Sequence, residues 1–303
     1  MQSSQPLVSV VIPCYNHEQF VQDSIQSVID QTYKNIELII IDDGSRDVSV
    51  EKIQEMLEAC KERFVRFEFR HRANIGLSAT LNEALEWCEG EFYSPIASDD
   101  IMMPRKTRTQ VEYLQRNSGC VGVYGEIELI NSVSSKVKKI GNLHKYYFSE
   151  IFLHNHNLPT PTQMLKLDKV IQTGGYKNNI LLEDWYINLK LTQNGESLDY
   201  IPVCLAKYRR HKDNLSSKND LIHKGRLDVL KLYKDNQLYL QAKSKCYLVT
   251  ANSLQLSNKR KSLAYFYKSV KTYPLSLKSK NVFKYIIKSA FSYDYLKKYY
   301  GEY

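Results

Sequence analysis

Short runs of branched apolar residues alternate, over the first 120 positions, with stretches whose apolar residues recur at helical spacing. LVSVVIP (7–13) and IELIIID (36–42) read as strands buried on both faces. Between them Val21, Ile25, Val28 and Ile29 fall on one helical face, and Ile53, Met56, Leu57 and Cys60 repeat that spacing. FVRFEFR (64–70) alternates as a strand does, and Leu81, Ala84, Leu85 and Cys88 mark a third helix. EFYSPIA (91–97) is the next strand, followed by a helix opened by Pro104. Strands and helices alternating at this pace predict an α/β fold with a parallel sheet covered on both faces.

Such sheets bind ligands beyond the carboxyl ends of their strands, and the polar residues gather there. CYN (14–16) follows the first strand, DDGS (42–45) the second and SDD (98–100) the fourth. Adjacent carboxylates after a strand suit a plain turn with a helix cap. They also suit a hard divalent cation, which takes one or two carboxylates and leaves its other positions to phosphate and water. Tyr15 can pack on the following helix, and DDGS is a good turn in any protein. It is their common edge that favours a site.

From 120 to 210 the pattern loosens, with strands expected at 121–130 and 197–211 and a helix at 181–195 closed by Asn-Gly. Beyond 220 the chain reads as helical, with Leu263, Phe266, Tyr267 and Val270 as one apolar face ending at Pro274, and Val282, Phe283, Ile286 and Ile287 continuing it. Charge divides the chain at the same place. Residues 216–303 carry 18 Lys and Arg against 5 Asp and Glu, with 12 of the 23 tyrosines, whereas the residues before them carry 24 and 28. This shift predicts domains at 1–215 and 216–303.

Length, 303 residues, suffices for two domains. No apolar run approaches the roughly 20 residues that span a bilayer, and no basic segment precedes the first apolar run, which argues against a secretory leader. The six cysteines are scattered without a C-x-x-C, the spacing of neither a zinc site nor a disulfide framework, and fit small core residues in a reducing compartment. No P-loop occurs and no G-x-G-x-x-G follows the first strand.

VSVVIPCYNHEQFVQDSIQSVIDQTYKNIELIIIDDGSRD, followed by RANIGLSATLNEALEWCEGEFYSPIASDD, strongly resembles the family 2 glycosyltransferases of GT-A fold over about residues 6–215. The resemblance implies a Rossmann-like, mixed but mainly parallel sheet flanked by helices, with a C-terminal helical extension. It implies that Pro13, Tyr15 and Asn16 line the nucleotide base, with Tyr15 stacking on it, and that Asp43 with Asp42 bonds a uracil-type ring. Asp99 is expected at the ribose, and Asp100 on an Mn²⁺ or Mg²⁺ bridging the diphosphate, in a motif like the family's DXD. Where members often carry a further Asp, this chain has Ala97. RANIG (72–76) is expected to wrap the crevice, with Arg72 and Asn74 towards the donor and Gly76 as a turn.

Glu183 and Asp184 open a helix, where acids complement its dipole whatever the function. The resemblance matches them to the acidic site that deprotonates the acceptor hydroxyl, Asp184 better than Glu183. His211 falls where the family often has a histidine meeting the metal or diphosphate, with Arg209 and Arg210 beside it to pair with phosphate. The other histidines have no spacing that suggests a metal and read as structural or acceptor-side. The Q-x-x-R-W element of processive synthases is absent.

The resulting expectation is a cytoplasmic, inverting, metal-dependent transferase moving one sugar from a nucleoside diphosphate, UDP first, to a carbohydrate acceptor. A lipid-linked glycan of a surface polysaccharide is the acceptor the resemblance favours. A nucleotidyltransferase, or a catalytically silent module that binds nucleotide-sugars, are the alternatives. For residues 220–303 three accounts stand open: a helical appendage with a solvated lysine face, attachment to an anionic membrane surface, and, least favoured, nucleic-acid binding.

Overall fold

The computed structural model describes residues 5–130, 135–137, 141–211, 214–215 and 218–290. The chain forms two compact units, the larger of Met1–Phe148, His156–Asn179 and Glu183–His211, the smaller of Ser149–Asn155, Ile180–Leu182 and the chain from Lys212 on. The junction at 211/212 lies close to the shift in charge. The two short segments that join the smaller unit carry no compositional mark.

The larger unit begins β1 (Val8–Cys14), α1 (Val21–Ile29), β2 (Ile36–Asp42), α2 (Ser49–Gln54), α3 (Leu57–Arg63), β3 (Arg66–His71), α4 (Leu77–Trp87) and β4 (Phe92–Pro95). It continues with β5 (Ile101–Met102), α5 (Lys106–Arg116), β6 (Cys120–Ile130), β7 (Ser135–Val137) and β8 (His144–Tyr146). After α6 (Phe148–Phe152), which passes into the smaller unit, come β9 (Met164–Lys166), α7 (Leu167–Gln172), α8 (Glu183–Thr192) and β10 (Ser197–Arg209). The strands form one sheet in the order β3-β2-β1-β4-β9-β6-β10-β5, with β7 on β6 and β8 on β10. Pairings among β3, β2, β1 and β4 and between β6 and β10 are parallel, and the short β5, β7, β8 and β9 pair antiparallel. This is the mixed, mainly parallel α/β sheet that the apolar runs and the resemblance imply.

The strand centre is dry because Val10, Ile12, Leu38 and Ile40 meet Ile25, Val28, Ile53 and Val111 in one cluster of buried side chains. Each such side chain contributes about 2 kcal/mol of burial. Pro13 sits in a central strand without breaking the ladder. Val11 O accepts from Ile96 N at 2.9 Å, so Pro13, two residues on, turns its nitrogen to the same side, past the last β1–β4 pair at Val11 and Pro95. The helix expected through Ile53 to Cys60 is two helices, broken at Glu55 and Met56.

In the smaller unit, α9 (Asn219–Lys231), α10 (Tyr239–Leu254), α11 (Lys259–Thr272), a 3-10 turn (Pro274–Lys278) and α12 (Lys280–Ala290) follow one another. The apolar face expected on α11 is buried only in part: Phe266 packs against this unit's core, but Leu263 and Tyr267 are exposed, and the fully buried residues are Ser262 and Ser269. The serines allow close helix approach, Ser262 Oγ donating to Ala251 O at 2.7 Å and Ser244 Oγ to Ser269 O at 2.9 Å. Val282 and Tyr285 of α12 join Leu248 and Ala251 in this unit's core, while Phe283, Ile286 and Ile287 stay exposed.

Candidate active site

The turns after β1, β2 and β4 stand together at the carboxyl edge of the sheet, and side chains lock them to one another. Asn16, in left-handed backbone (φ 55°), accepts from Arg46 N at 2.8 Å, and its own N–H donates to Ser45 Oγ at 2.8 Å. Asp42 accepts from Ser45 N at 2.9 Å and lies 3.0 Å from His71 Nδ1. Asp43 accepts from Ile75 N (2.8 Å), Gly76 N (2.9 Å) and the Arg72 guanidinium, while Asn74 Nδ2 donates to its carbonyl at 2.7 Å. Gly44 (φ 73°) is required between them, because a Cβ there would come within 2.6 Å of Asn74 N.

Asp43, Arg72 and Asn74 are therefore bonded to one another, while the adjacent Asp42 is bonded to Ser45 and His71. Arg72 also donates to Glu83 (2.7 Å) and Thr80 (2.9 Å) on α4, so it ties that helix to the second strand turn that its Asp43 contact holds. Tyr15, by contrast, is 42% exposed and offers a ring face at the rim.

The carboxylate that meets His211 belongs to Asp99. His211 Nε2 lies 2.9 Å from Asp99 Oδ2, and His17 Nε2 lies 4.0 Å from the same oxygen. Ligand atoms of the three residues all fall within 4.8 Å of one another. Ser98 Oγ, 2.7 Å from His17 Nδ1, fixes the outer nitrogen of that ring and so turns Nε2 inward. Asp100, expected from the sequence as the metal ligand beside His211, is placed differently. It is buried, and its Oδ1 accepts from Arg209 N at 2.9 Å. Burial, and then the neighbouring Asp99 charge, hold its carboxyl well above the usual range. In this geometry it ties β10 to the turn after β4.

Arg209 completes that tie. Its Nε donates to Asp99 O at 3.0 Å and its Nη2 to Asp23 at 2.9 Å, with the guanidinium over the Phe20 ring. One imidazole pair and one carboxylate make a donor set for a divalent transition ion, with coordination positions left for phosphate oxygens. Mg²⁺, which takes oxygen, suits this set less well.

The second acidic pair opens α8. Asp184 accepts from Thr160 Oγ1 (2.7 Å), on the 3-10 turn Thr160–Thr162, and from Trp185 N (2.7 Å). Glu183 beside it is pushed up to about 8 by burial and by the Asp184 charge. Beneath lies a buried polar layer: Tyr93 and Tyr176 hydroxyls 3.5 Å apart, and Tyr124, which donates to Asn188 Oδ1 at 2.6 Å and accepts from Gln163. His156 is held down to about 4 by burial, against the opposing Asp184 charge. Lys106 is fully buried, donates to Ser94 Oγ (2.6 Å) and Gln163 O (3.2 Å), and is pushed down to about 7 by desolvation.

Sequence reasoning missed His17, Thr160 and Lys106. Only His17 carried a signal, its place two residues after Tyr15 in the first strand turn.

Residues 9–185 match the profile described as Glycosyl transferase family 2. An uncharacterized glycosyltransferase of Haemophilus influenzae is 27% identical over 269 residues, 83% of this chain and 79% of its own. The UDP-Glc:alpha-D-GlcNAc-diphosphoundecaprenol beta-1,3-glucosyltransferase WfgD of Escherichia coli is 30% identical over 233 residues, 77% of this chain and 88% of its own. Among solved structures, S. aureus TarS 1–349 in complex with UDP-GlcNAc superposes with TM-score 0.63 at 13% identity, covering 97% of this chain and 91% of its own. The mannosyltransferase PcManGT of Pyrobaculum calidifontis, in complex with GDP-Man and Mn²⁺, gives 0.62 at 13% identity over 99% and 89%. At such identity these structures attest the fold, and the profile match, which spans more than half of the chain, attests the lineage: the chain belongs to glycosyl transferase family 2.

Proposed function

We propose that this glycosyltransferase moves a single sugar, with inversion, from a UDP-sugar to the hydroxyl of a lipid-linked glycan. The observation that carries the reading is the His17, Asp99 and His211 cluster at the carboxyl edge of the parallel strands, where Tyr15, in the turn after β1, is exposed. Tyr15 stacks on the base, and the Asp42–Asp43 turn bonds its edge. Mn²⁺ held by His17, Asp99 and His211 supplies charge neutralisation for a departing diphosphate when bound.

The acceptor oxygen attacks the anomeric carbon on the face opposite the diphosphate, the carbon–oxygen bond to phosphate breaks, and Asp184 takes the hydroxyl proton. A Glu183 that keeps its proton at neutral pH is no base, so the role falls to Asp184, held by Thr160 and the Trp185 N–H. The lipid-linked acceptor is supported by likeness to WfgD, whose acceptor is a diphosphoundecaprenol-linked sugar. Such an acceptor would be met at the cytoplasmic membrane face, and exposed Phe283, Ile286 and Ile287 with Lys280 and Lys284 suit an anionic surface. No described helix is long and apolar enough to cross a membrane.

The test is transfer itself. Purified protein, Mn²⁺, a panel of UDP-sugars and a polyprenyl-diphosphate GlcNAc acceptor are incubated, and products are read by mass spectrometry with anomeric assignment by NMR. One added hexose with inverted configuration is expected. Donor hydrolysis without transfer to any glycan, or release of pyrophosphate from a nucleoside triphosphate, overturns the proposal.

A further inference from the structure

The smaller unit contains a cavity of about 310 Å³ that the transfer reaction does not use. Lys245 of α10 lines it, half-buried, with no carboxylate partner among the described residues, and burial lowers its ammonium from the usual lysine range. Lys278, at the end of the 3-10 turn, is a second lining cation, and no Asp or Glu lines the cavity. Ser276 Oγ, also on the lining, is out of solvent contact and has no hydrogen-bond partner among the described residues.

The cavity also meets the start of α12. Ser279 Oγ caps that helix, accepting from Val282 N at 3.2 Å, and Ser279 and Asn281 both line the space. The half-buried Lys245 ammonium, the solvent-exposed Lys278, the unsatisfied Ser276 hydroxyl and the N-terminus of α12 together suit an anion. A half-buried ammonium without a counter-charge is unfavourable until one arrives. Leu248 forms apolar wall, and Leu275 runs from the lining to the surface, where Leu277 is exposed beside it. An anion with an apolar remainder fits both halves.

We propose that this cavity binds a phosphate group, and that the apolar lip assigns the group to an anionic phospholipid headgroup, making the site a specific membrane receptor and not a diffuse basic surface. It is independent of the transferase chemistry proposed above. The volume, near the lower end of small-ligand pockets, admits a glycerophosphate headgroup.

The full chain is sedimented with phosphatidylcholine vesicles, with and without phosphatidylglycerol, and titrated separately with glycerol 3-phosphate. Lys245→Gln, Lys278→Gln, Lys245→Arg and the exposed control Lys284→Gln are compared, each checked by thermal melting. Diffuse attraction gives about five-fold loss for any one lysine. The site predicts a far larger loss, roughly a hundred-fold, for Lys245→Gln, a smaller one for Lys278→Gln, and recovery with Lys245→Arg. Glycerol 3-phosphate should displace the wild type from phosphatidylglycerol vesicles. Glycerol 3-phosphate binding that needs Lys245, without vesicle binding, supports the phosphate site but assigns it to a soluble ester. Equal losses for Lys245→Gln and Lys284→Gln, or no glycerol 3-phosphate effect, overturn the proposal, whether or not sugar transfer is ever observed.

Discussion

His211 Nε2 lies 2.9 Å from Asp99 Oδ2, across 112 residues of chain, and this contact closes the crevice where β4 and β10 end. It distinguishes two adjacent acids that look equivalent in sequence. Asp99 faces the two imidazoles, while Asp100 faces the Arg209 backbone. Asp99→Ala should abolish Mn²⁺ binding and with it Mn²⁺-dependent transfer, and His211→Ala and His17→Ala should each weaken Mn²⁺ binding roughly 10- to 100-fold. Asp100→Asn keeps an oxygen to accept from Arg209 N, so its Mn²⁺ affinity should stay within a few-fold of wild type. Titration of Mn²⁺ by electron paramagnetic resonance reads all four. A loss of affinity in Asp100→Asn as large as in His211→Ala would reverse the assignment.

Asp184 and Glu183 should separate by kinetics. Asp184→Asn retains an acceptor for the Trp185 N–H but cannot take a proton, so kcat should fall about 10²- to 10⁴-fold with donor affinity unchanged. Thr160→Val removes only the hydroxyl that orients Asp184 and should lower kcat roughly ten-fold without raising KM for the donor. Donor binding is followed by calorimetry. A Thr160→Val variant with unchanged kcat would leave that hydrogen bond without a part in turnover.

Why was so much of this edge legible in sequence, and why did His17 escape? Buried parallel strands such as IELIIID are continuous apolar runs, and the polar residues that end them stand out against that background. Asp42, Asp43 and Asp99 were visible for that reason, whereas Asp184, at the start of α8, was marked by the resemblance. β5, β7, β8 and β9 are two or three residues long and exist because neighbouring strands hold them, so no local period marks them. His17 reaches Asp99 only once β1 and β4 are paired, and a lone histidine announces no partner. Thr160 and Lys106 likewise gain their significance from residues distant in the chain. On α11 the apolar spacing held for Phe266 but misled for Leu263 and Tyr267, because close packing against α10 selected the small Ser262 and Ser269 for the buried face.

Glu183 ties stability to pH. Its carboxyl is raised to about 8 in the folded protein, from about 4.5. Below 4.5 both states hold the proton and pH changes nothing. Between 4.5 and 8 the unfolded chain releases it and the folded protein keeps it, so stability from this residue falls as pH rises and levels off above 8. Glu183→Gln should flatten that slope and stabilise the protein by about 2 kcal/mol at pH 8, below the full linkage value because the side chain is only half-buried. Urea unfolding at pH 5 and pH 8 measures the difference. An equal effect at both pH values would show that Glu183 titrates normally.

Lys106 gives the opposite sign. Desolvation brings its ammonium from 10.5 down to about 7, with Ser94 Oγ and Gln163 O as its hydrogen-bond partners. Below pH 7 both states are charged and the full penalty of burying the cation is present. Between 7 and 10.5 the unfolded chain still holds the proton while the folded one has released it, so stability rises with pH across that window. Lys106→Met removes the titration but also the two hydrogen bonds, and an unmet buried acceptor costs about 1–3 kcal/mol. The sign of the net change at one pH is therefore not diagnostic, but its trend is. The variant should compare best with wild type near pH 6 and progressively worse towards pH 10, whatever its offset. Unfolding free energies of the two proteins that stay parallel from pH 6 to 10 would mean that Lys106 remains charged throughout, and that its two oxygen partners suffice to hold a buried ammonium.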